Sequence, residues 1–436
     1  MPKPQQPTAA QLIDLARAAA AEAANYQERF AAADTEARKI VDIMERFLRV
    51  TGRVVYGGAA INAHLPADKK FYDPTLYLPD YDFMTPDPLQ DCADLIAAFQ
   101  AEGFSDVEAK FGIHEGTYKV FVNYRAAADI TYMPPQIYAR VIADAHMIEG
   151  IHYASPNFLR MNMYLELSRP AGMVSRWEKV YGRLLLLNEA HPLRPGHCAK
   201  DPLGSTAASA PSKSASTTSA LTAAAIETGA IFLSGVSYLI DKEPDPADTL
   251  LLVHPTPATL VSVLQKAMPS LRTTTFPALG ELLPARTELH TNRGHLAAVV
   301  FETVACHNYT TLTEPKGYRL ASLDFLIQMY YAMYFADLQG YAPVRLLCLI
   351  HELIEMESER RASAVLQGVS AHDVFPLECI GHQPTMPELK KAHRERVREK
   401  RANLQGALRL QRLSSGVRAT RRQQKRKQRS QTLRRS

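Results

Sequence analysis

The chain has 436 residues, 46% of them hydrophobic and 22% charged, which is the balance of a soluble globular protein with ample core and room for two or three domains. The formal net charge is +5, and no run approaches the length a helix needs to cross a bilayer. Five cysteines (Cys92, Cys198, Cys306, Cys348 and Cys379) lie far apart without a C-x-x-C pair, a spacing that argues against a zinc site or a disulfide framework and fits a reducing cytosol.

Met1 to Pro7 leads into an Ala-rich segment rather than a secretory hydrophobic core. From Ala9 to Val50, Leu12, Ile13, Leu15 and Ala16, and then Ile40, Val41, Ile43, Met44, Phe47 and Leu48, recur at helical spacing. This predicts a helical layer over residues 1–50, packed against the sheet that follows and stopped at Thr51-Gly52. Arg53-Val54-Val55-Tyr56-Gly57-Gly58-Ala59-Ala60-Ile61-Asn62 then reads as a strand, a glycine pair and a helix start. Without Cβ atoms, Gly57 and Gly58 let the backbone turn tightly and bring N–H groups close to a ligand; the helix beginning there suits a phosphate.

A polar loop with Lys69, Lys70 and Asp73-Pro74 leads to Pro79-Asp80-Tyr81-Asp82-Phe83. In an extended segment, i and i+2 side chains share a face, so Asp80 and Asp82 point the same way and can hold Mg²⁺ against a triphosphate. Residues 87–102 are amphipathic and predict a helix beside the sheet. Strand-like runs follow at 116–124 and 128–132, and the second carries Asp129 inside an apolar stretch, where an unpaired charge is costly. A metal-linked carboxylate explains that placement; a salt bridge or a turn residue is the plain alternative. Singly, a Gly-Gly or a D-x-D is a weak signal, whereas strand, Gly-Gly, D-x-D and a later strand Asp in this order are specific. A helix over 157–167 ends at Ser168-Arg169-Pro170, and Ser175 is placed to cap a helix over 176–187. On it Arg176, Lys179 and Arg183 line up at i, i+3 and i+7. Such a row is ordinarily a solvated helix face.

Residues 201–225 are rich in Ser, Thr and Ala and predict a low-complexity linker or insertion. After it, 231–239 repeats the strand, small-residue and helix opening of 54–61, followed by strands at 250–253 and 296–303 and helices at 256–268 and 318–334. No D-x-D follows Gly235. His351-Glu352-x-x-Glu355 lacks the second histidine of a zinc helix and reads as helix surface. From Lys390 to Ser436 there are 18 Lys/Arg against 2 Glu, leaving the remainder near −11. That end predicts a basic, partly disordered tail, serving solubility, targeting or a grip on RNA phosphates.

Gly57-Gly58, Asp80-x-Asp82 and Asp129 resemble the catalytic pattern of the polymerase-β-like nucleotidyltransferases. More narrowly, Tyr56 to Asn62, Asp80 to Phe83, and the run from Leu165 to Pro170 and Arg176 to Leu184 resemble the catalytic subunit of poly(A) polymerases of large nucleocytoplasmic DNA viruses (poxvirus, asfarvirus and giant-virus types). The likeness is strong over residues 50 to 195 and weaker at 232–235 and 375–381.

The resemblance implies an α/β (α+β) fold: a nucleotidyltransferase mixed sheet flanked by helices over 51–200, then a second, degenerate nucleotidyltransferase-like domain over 226–389 and the tail at 390–436. It also implies template-independent addition of AMP from ATP to an RNA 3′ end, with Asp80, Asp82 and Asp129 holding two Mg²⁺ (or Mn²⁺) ions. Gly57 and Gly58 would cradle the β- and γ-phosphates, with Lys179, Arg176 and Arg183 as further phosphate contacts. Tyr153 and Tyr181 are stacking candidates or core residues. The implied partners are RNA and ATP, with either a homodimer or a separate processivity subunit. The implied location is the viral factory of the host cytoplasm, with packaging in the virion as an option. Competing readings are a nucleotidyltransferase with another acceptor (CCA-adding or small-molecule) and a non-catalytic RNA-binding module with structural carboxylates.

Overall fold

Two helices, α1 (Ala9–Ala32) and α2 (Thr35–Thr51), open the computed structural model, which describes residues 8–32, 34–72, 79–198, 215–240, 249–338 and 341–402. Asp34 caps α2 by accepting hydrogen bonds from the N–H groups of Glu36 and Ala37, satisfying donors that a helix start leaves unpaired. The periodic set Ile40, Ile43, Met44, Phe47 and Leu48 is buried, and the Phe47 ring meets Phe83 at 5.9 Å. In α1, by contrast, Leu12, Ile13 and Leu15 are exposed. The expected packing of the whole N-terminal layer on the sheet is therefore corrected: among the described side chains it is α2 that supplies the buried apolar face. Periodicity reports a face, not what covers it.

The first sheet is built from β1 (Val54–Tyr56), β2 (Tyr81–Thr85), β3 (Val107–Phe111), β4 (Thr117–Val122), β5 (Arg125–Tyr132), β6 (His146–Ile148) and β7 (Ile151–Tyr153). Its order is β3-β4-β5-β2-β1-β7-β6. The helices of this half are α3 (Gly57–His64), α4 (Pro88–Ala101), α5 (Pro135–Ala143), α6 (Pro156–Leu167) and α7 (Trp177–Ala190). Ser155 caps α6 through Phe158 N–H. Ser175 does not cap α7: residues 174–176 form a tight 3₁₀ turn, and Arg176 stands at the cap position without a side-chain bond.

The second half begins earlier than its composition suggests. Residues 201–214 lie outside the described residues, but α8 (Ala215–Thr228) buries Leu221, Ala224 and Ala225 in the second core, so the linker expectation fails for 215–225. Alanine serves a core helix as well as a linker, and composition does not separate the two. The strands are β8 (Ile231–Phe232), β9 (Leu250–His254), β10 (Arg272–Phe276), β11 (Arg286–His290), β12 (Leu296–Glu302), β13 (His307–Thr311), β14 (Arg319–Ala321) and β15 (Cys379–Ile380). The helices are α9 (Pro257–Ala267), α10 (Leu323–Phe335), α11 (Pro343–Gln367) and α12 (Ala371–Val374). The apolar run at 318–334 is a strand followed by a helix rather than one helix, because Ser322 caps α10.

The sheet order β10-β11-β12-β9-β8-β14-β13-β15 repeats that of the first sheet and adds one strand. The pairing senses match as well: β8 is antiparallel to β9 and parallel to β14, and β9 is parallel to β12, as β1 is to β2 and β7 and β2 is to β5. Registers align the halves residue by residue. Val55 faces Phe83 and Tyr153, and Phe232 faces Leu252 and Leu320, so Leu251 stands where Asp82 does. Asp82 faces Asp129, whereas Leu251 faces Val299. Both replacements are buried and apolar, so the second half lacks the carboxylates.

The two equivalent helices α6 and α10 pack together. The Tyr331 hydroxyl donates to Asn157 Oδ1 (3.3 Å), and the rings of Phe158 and Phe335 meet at 5.2 Å. Nearby, buried Arg361 donates to both oxygens of Asp324 (2.7 and 2.9 Å), pairs with Glu357, and lies over the rings of Phe375 and Tyr181. Burial pushes the Asp324 carboxyl up, and Arg361 pulls it back down. Arg361→Met should leave that buried carboxylate without its partner and lower stability by about 3–5 kcal/mol, read as a fall in Cm in urea.

Two disulfides, Cys198–Cys348 and Cys306–Cys379, correct the cysteine reading. Partners 150 and 73 residues apart are brought together by tertiary structure, the second pair beside the β13–β15 ladder. Cysteine usage therefore gives no support to a reducing cytosol. Cys92 is free and buried.

Residues 1–110 and 118–383 form one compact unit containing both sheets; 111–117 and 384–436 form another. In the latter, 386–402 are helical, Arg396 donates to the Ile113 carbonyl (2.7 Å), and Lys400 lies over the Phe111 ring. The expected disordered tail is thus helical at 390–402, and 403–436 lie outside the described residues. Among the described residues no helix is long and apolar enough to cross a membrane.

Candidate active site

Strand pairing builds this site from the three stretches singled out in the sequence. Tyr56, the last residue of β1, faces Asp82 on β2, and Asp82 faces Asp129 on the parallel strand β5. Asp80 lies two residues before Asp82 in an extended stretch, so it projects to the same side. The chain then leaves β1 through Gly57 at φ +71° and enters α3. A Cβ on Gly57 would stand 2.6 Å from Asp82 Oδ2, so glycine is required twice: for the left-handed backbone and for the close approach of the carboxylate. No side chain caps the first turn of α3, which leaves its N–H groups for a ligand.

A cavity of about 320 Å³ is lined by this turn, by Asp80 and Asp82, and across from them by Arg176, Lys179 and Arg183. The three cations expected from spacing thus share one wall, though differently held. Arg183 donates to the Tyr72 hydroxyl (2.9 Å) and lies over the rings of Phe71 and Tyr72. Arg176 pairs with Glu166 (3.0 Å). Lys179 is exposed and has no ion-pair partner among the described residues. Lys69 pairs with Glu189, and neither it nor Lys70 lines the cavity; Asp73-Pro74 lies outside the described residues.

Histidines fix the far ends of the two cavity helices. His64, at the end of α3, donates through Nε2 to the Ala154 carbonyl (2.8 Å), and His191, after α7, donates through Nε2 to the His64 carbonyl (2.8 Å). Burial holds His64 down at about 4, so it is neutral at physiological pH.

The carboxylates repel one another. Burial first, then Asp80 and Asp129, push Asp82 up to about 7, against the opposing pull of Lys119 and Arg176. Burial and Asp129 raise Asp80 also. Lys119 on β4 forms an ion pair with Asp129. Among the described residues no group of three His, Cys, Asp or Glu is arranged around an ion. The donor set still fits a hard divalent cation: carboxylate oxygens, crowded by like charge that a cation relieves. Asp80 and Asp82 would hold it, with Asp129 available once Lys119 yields.

Of the aromatic candidates, Tyr153 is a buried residue of β7 and Tyr181 packs on Phe375; neither lines the cavity. Lys119, Glu166, Tyr72 and Asn162 were not assigned from sequence. Only Lys119 carried a signal, as a charge on a strand near Asp129. The others depend on how α6 and the 70s loop fold back.

Residues 42–173 match the family model for the poly(A) polymerase catalytic subunit, a segment that includes Gly57, Gly58, Asp80, Asp82 and Asp129 and stops short of the three cations. A candidate poly(A) polymerase catalytic subunit of Acanthamoeba polyphaga mimivirus is 33% identical over 163 residues, 36% of this chain and 27% of that protein. Its counterpart in African swine fever virus (isolate Tick/Malawi/Lil 20-1/1983) is 25% identical over 164 residues, 36% and 34% of the two chains. The chain thus spans about a quarter to a third of the length of these relatives. The crystal structure of the Megavirus polyadenylate synthase is similar over 92% of this chain and 85% of that one, at TM-score 0.73 and 19% identity, a likeness of fold.

Proposed function

We propose that this chain is the catalytic subunit of a poly(A) polymerase, transferring AMP from ATP to the 3′-hydroxyl of RNA without a template and releasing pyrophosphate. The observation that carries it is the Gly57 turn set against Asp82, with Asp129 alongside, facing Lys179 and Arg183 across one cavity. The family match over this segment supports the same reading.

The N–H groups of the first turn of α3 bind the β- and γ-phosphates, and Lys179, with Arg183 behind it, neutralises their charge. Bound Mg²⁺ or Mn²⁺ supplies Lewis acidity to the α-phosphate and lowers the pKa of the attacking hydroxyl. Asp80 and Asp82 orient the triphosphate side of that assembly, and Asp129 orients the acceptor hydroxyl. The second half, with Leu251 and Val299 in place of the aspartates, does no chemistry. By its viral relatives, we place the activity in polyadenylation of viral mRNA in the host cytoplasm.

The test is extension of a labelled oligoribonucleotide with each NTP and Mg²⁺. An ATP-selective ladder is expected, with Lys179→Ala raising KM for ATP roughly tenfold, as loss of one charge-assisted contact implies. Addition of one to three nucleotides irrespective of oligonucleotide length points to another acceptor. RNA retention without any extension favours a binding module.

A further inference from the structure

A second concavity adjoins the first at Asp80. It measures about 220 Å³ and is lined by Ile40, Val41 and Met44 of α2, by Pro79 and Tyr81, and by Arg125 to Ala127 at the start of β5, with Asp80 at its border. Asp80 is the residue that this groove and the nucleotide cavity have in common.

The register explains why the two meet. Tyr81 faces Ala128, and Asp82 faces Asp129, so one step toward the strand starts places Ala127 beside Asp80. A molecule in the groove therefore lies within about two residues of strand length, roughly 7 Å, of Asp129. Its walls are mostly apolar, from Ile40, Val41, Met44, Pro79, Ala126 and Ala127, and its charged groups are the Asp80 carboxylate and Arg125, which pairs with Asp34 (2.6 Å). A mostly apolar slot with a few polar groups is the kind of site that takes a planar ring.

We propose that this groove holds the 3′-terminal base of the acceptor strand. The inference rests on the proposed nucleotidyl transfer, which has two substrates and needs the second to reach Asp129 without crossing the triphosphate. With apolar walls and no ring of donors and acceptors, the groove takes the base by its faces and reads it weakly. The first AMP can then be added to an end carrying any base, and each later one to an adenine.

The test uses the full chain and an oligoribonucleotide whose terminal base is photoreactive. Cross-links should map to peptides containing residues 40–44 or 125–127. Ala126→Trp, at an exposed wall position, and Val41→Phe, on the opposite wall, should each raise KM for the oligonucleotide roughly tenfold while leaving KM for ATP unchanged. Cross-links elsewhere, with both variants kinetically normal, would overturn the subsite while leaving the polymerase reading intact. A wild-type protein that extends no oligonucleotide would remove both.

Discussion

Asp82→Asn is expected to abolish nucleotide addition and, at the same time, to stabilise the ion-free protein. The activity loss should reach roughly a thousandfold or more, because the residue borders both the Gly57 turn and Asp129 and its amide cannot supply the charge. The stability gain follows first from the burial of the Asp82 carboxylate and then from its repulsion by Asp80 and Asp129. Asp82 is raised from 3.8 to about 7 in the folded chain, so folding is opposed whenever the unfolded residue is ionised and the folded one resists. The penalty is absent below about pH 4, grows between pH 4 and 7, and is complete above pH 7, where it amounts to about 2–4 kcal/mol. Asn removes it. Denaturant titrations of wild type and variant without divalent cations should diverge across that window. Adding Mg²⁺ should stabilise wild type and narrow the gap. A constant difference at all pH values would show that neither burial nor the neighbouring carboxylates raise the Asp82 carboxyl.

Gly57→Ala should carry the second large effect, and Gly58→Ala a smaller one of another kind. At Gly57 the new methyl group would stand 2.6 Å from Asp82 Oδ2 and push that carboxylate aside, in a backbone conformation that disfavours any Cβ by about 1–2 kcal/mol. Displacing Asp82 by even an ångström should lower kcat about a hundredfold, with a modest loss of stability. At Gly58 the nearest atoms are Arg183 Nη1 and the Tyr72 hydroxyl, both at 3.0 Å and both ends of side chains that can move. That variant should raise KM for ATP and spare kcat. Equal losses of kcat in the two variants would mean that the turn acts as a unit rather than through Asp82.

Much of the candidate site was legible because its signals are local. A strand, a glycine pair and a D-x-D each follow from the conformational freedom of glycine and the two-residue period of a strand. Asp129 was legible as a charge inside an apolar run. The row Arg176, Lys179, Arg183 was legible as spacing, but only the folding of α7 over α3 gives the row a cavity to face. Lys119 could not be assigned, because its partner lies across a ladder whose register the sequence does not print.

Sequence by itself determined the strand-turn-helix opening, the order of the carboxylates, the absence of a second D-x-D and the basic character of the last residues, because each depends on neighbours a few positions apart. Tertiary structure decided which cysteines pair, that Leu221, Ala224 and Ala225 are core rather than linker, and that Leu12, Ile13 and Leu15 of α1 stay exposed while α2 buries its apolar face. It also decided that the second sheet repeats the first with Leu251 and Val299 in place of aspartates. These outcomes turn on which surfaces meet across tens or hundreds of residues, and the free energy of burying one face against another is a property of the pair, not of either segment.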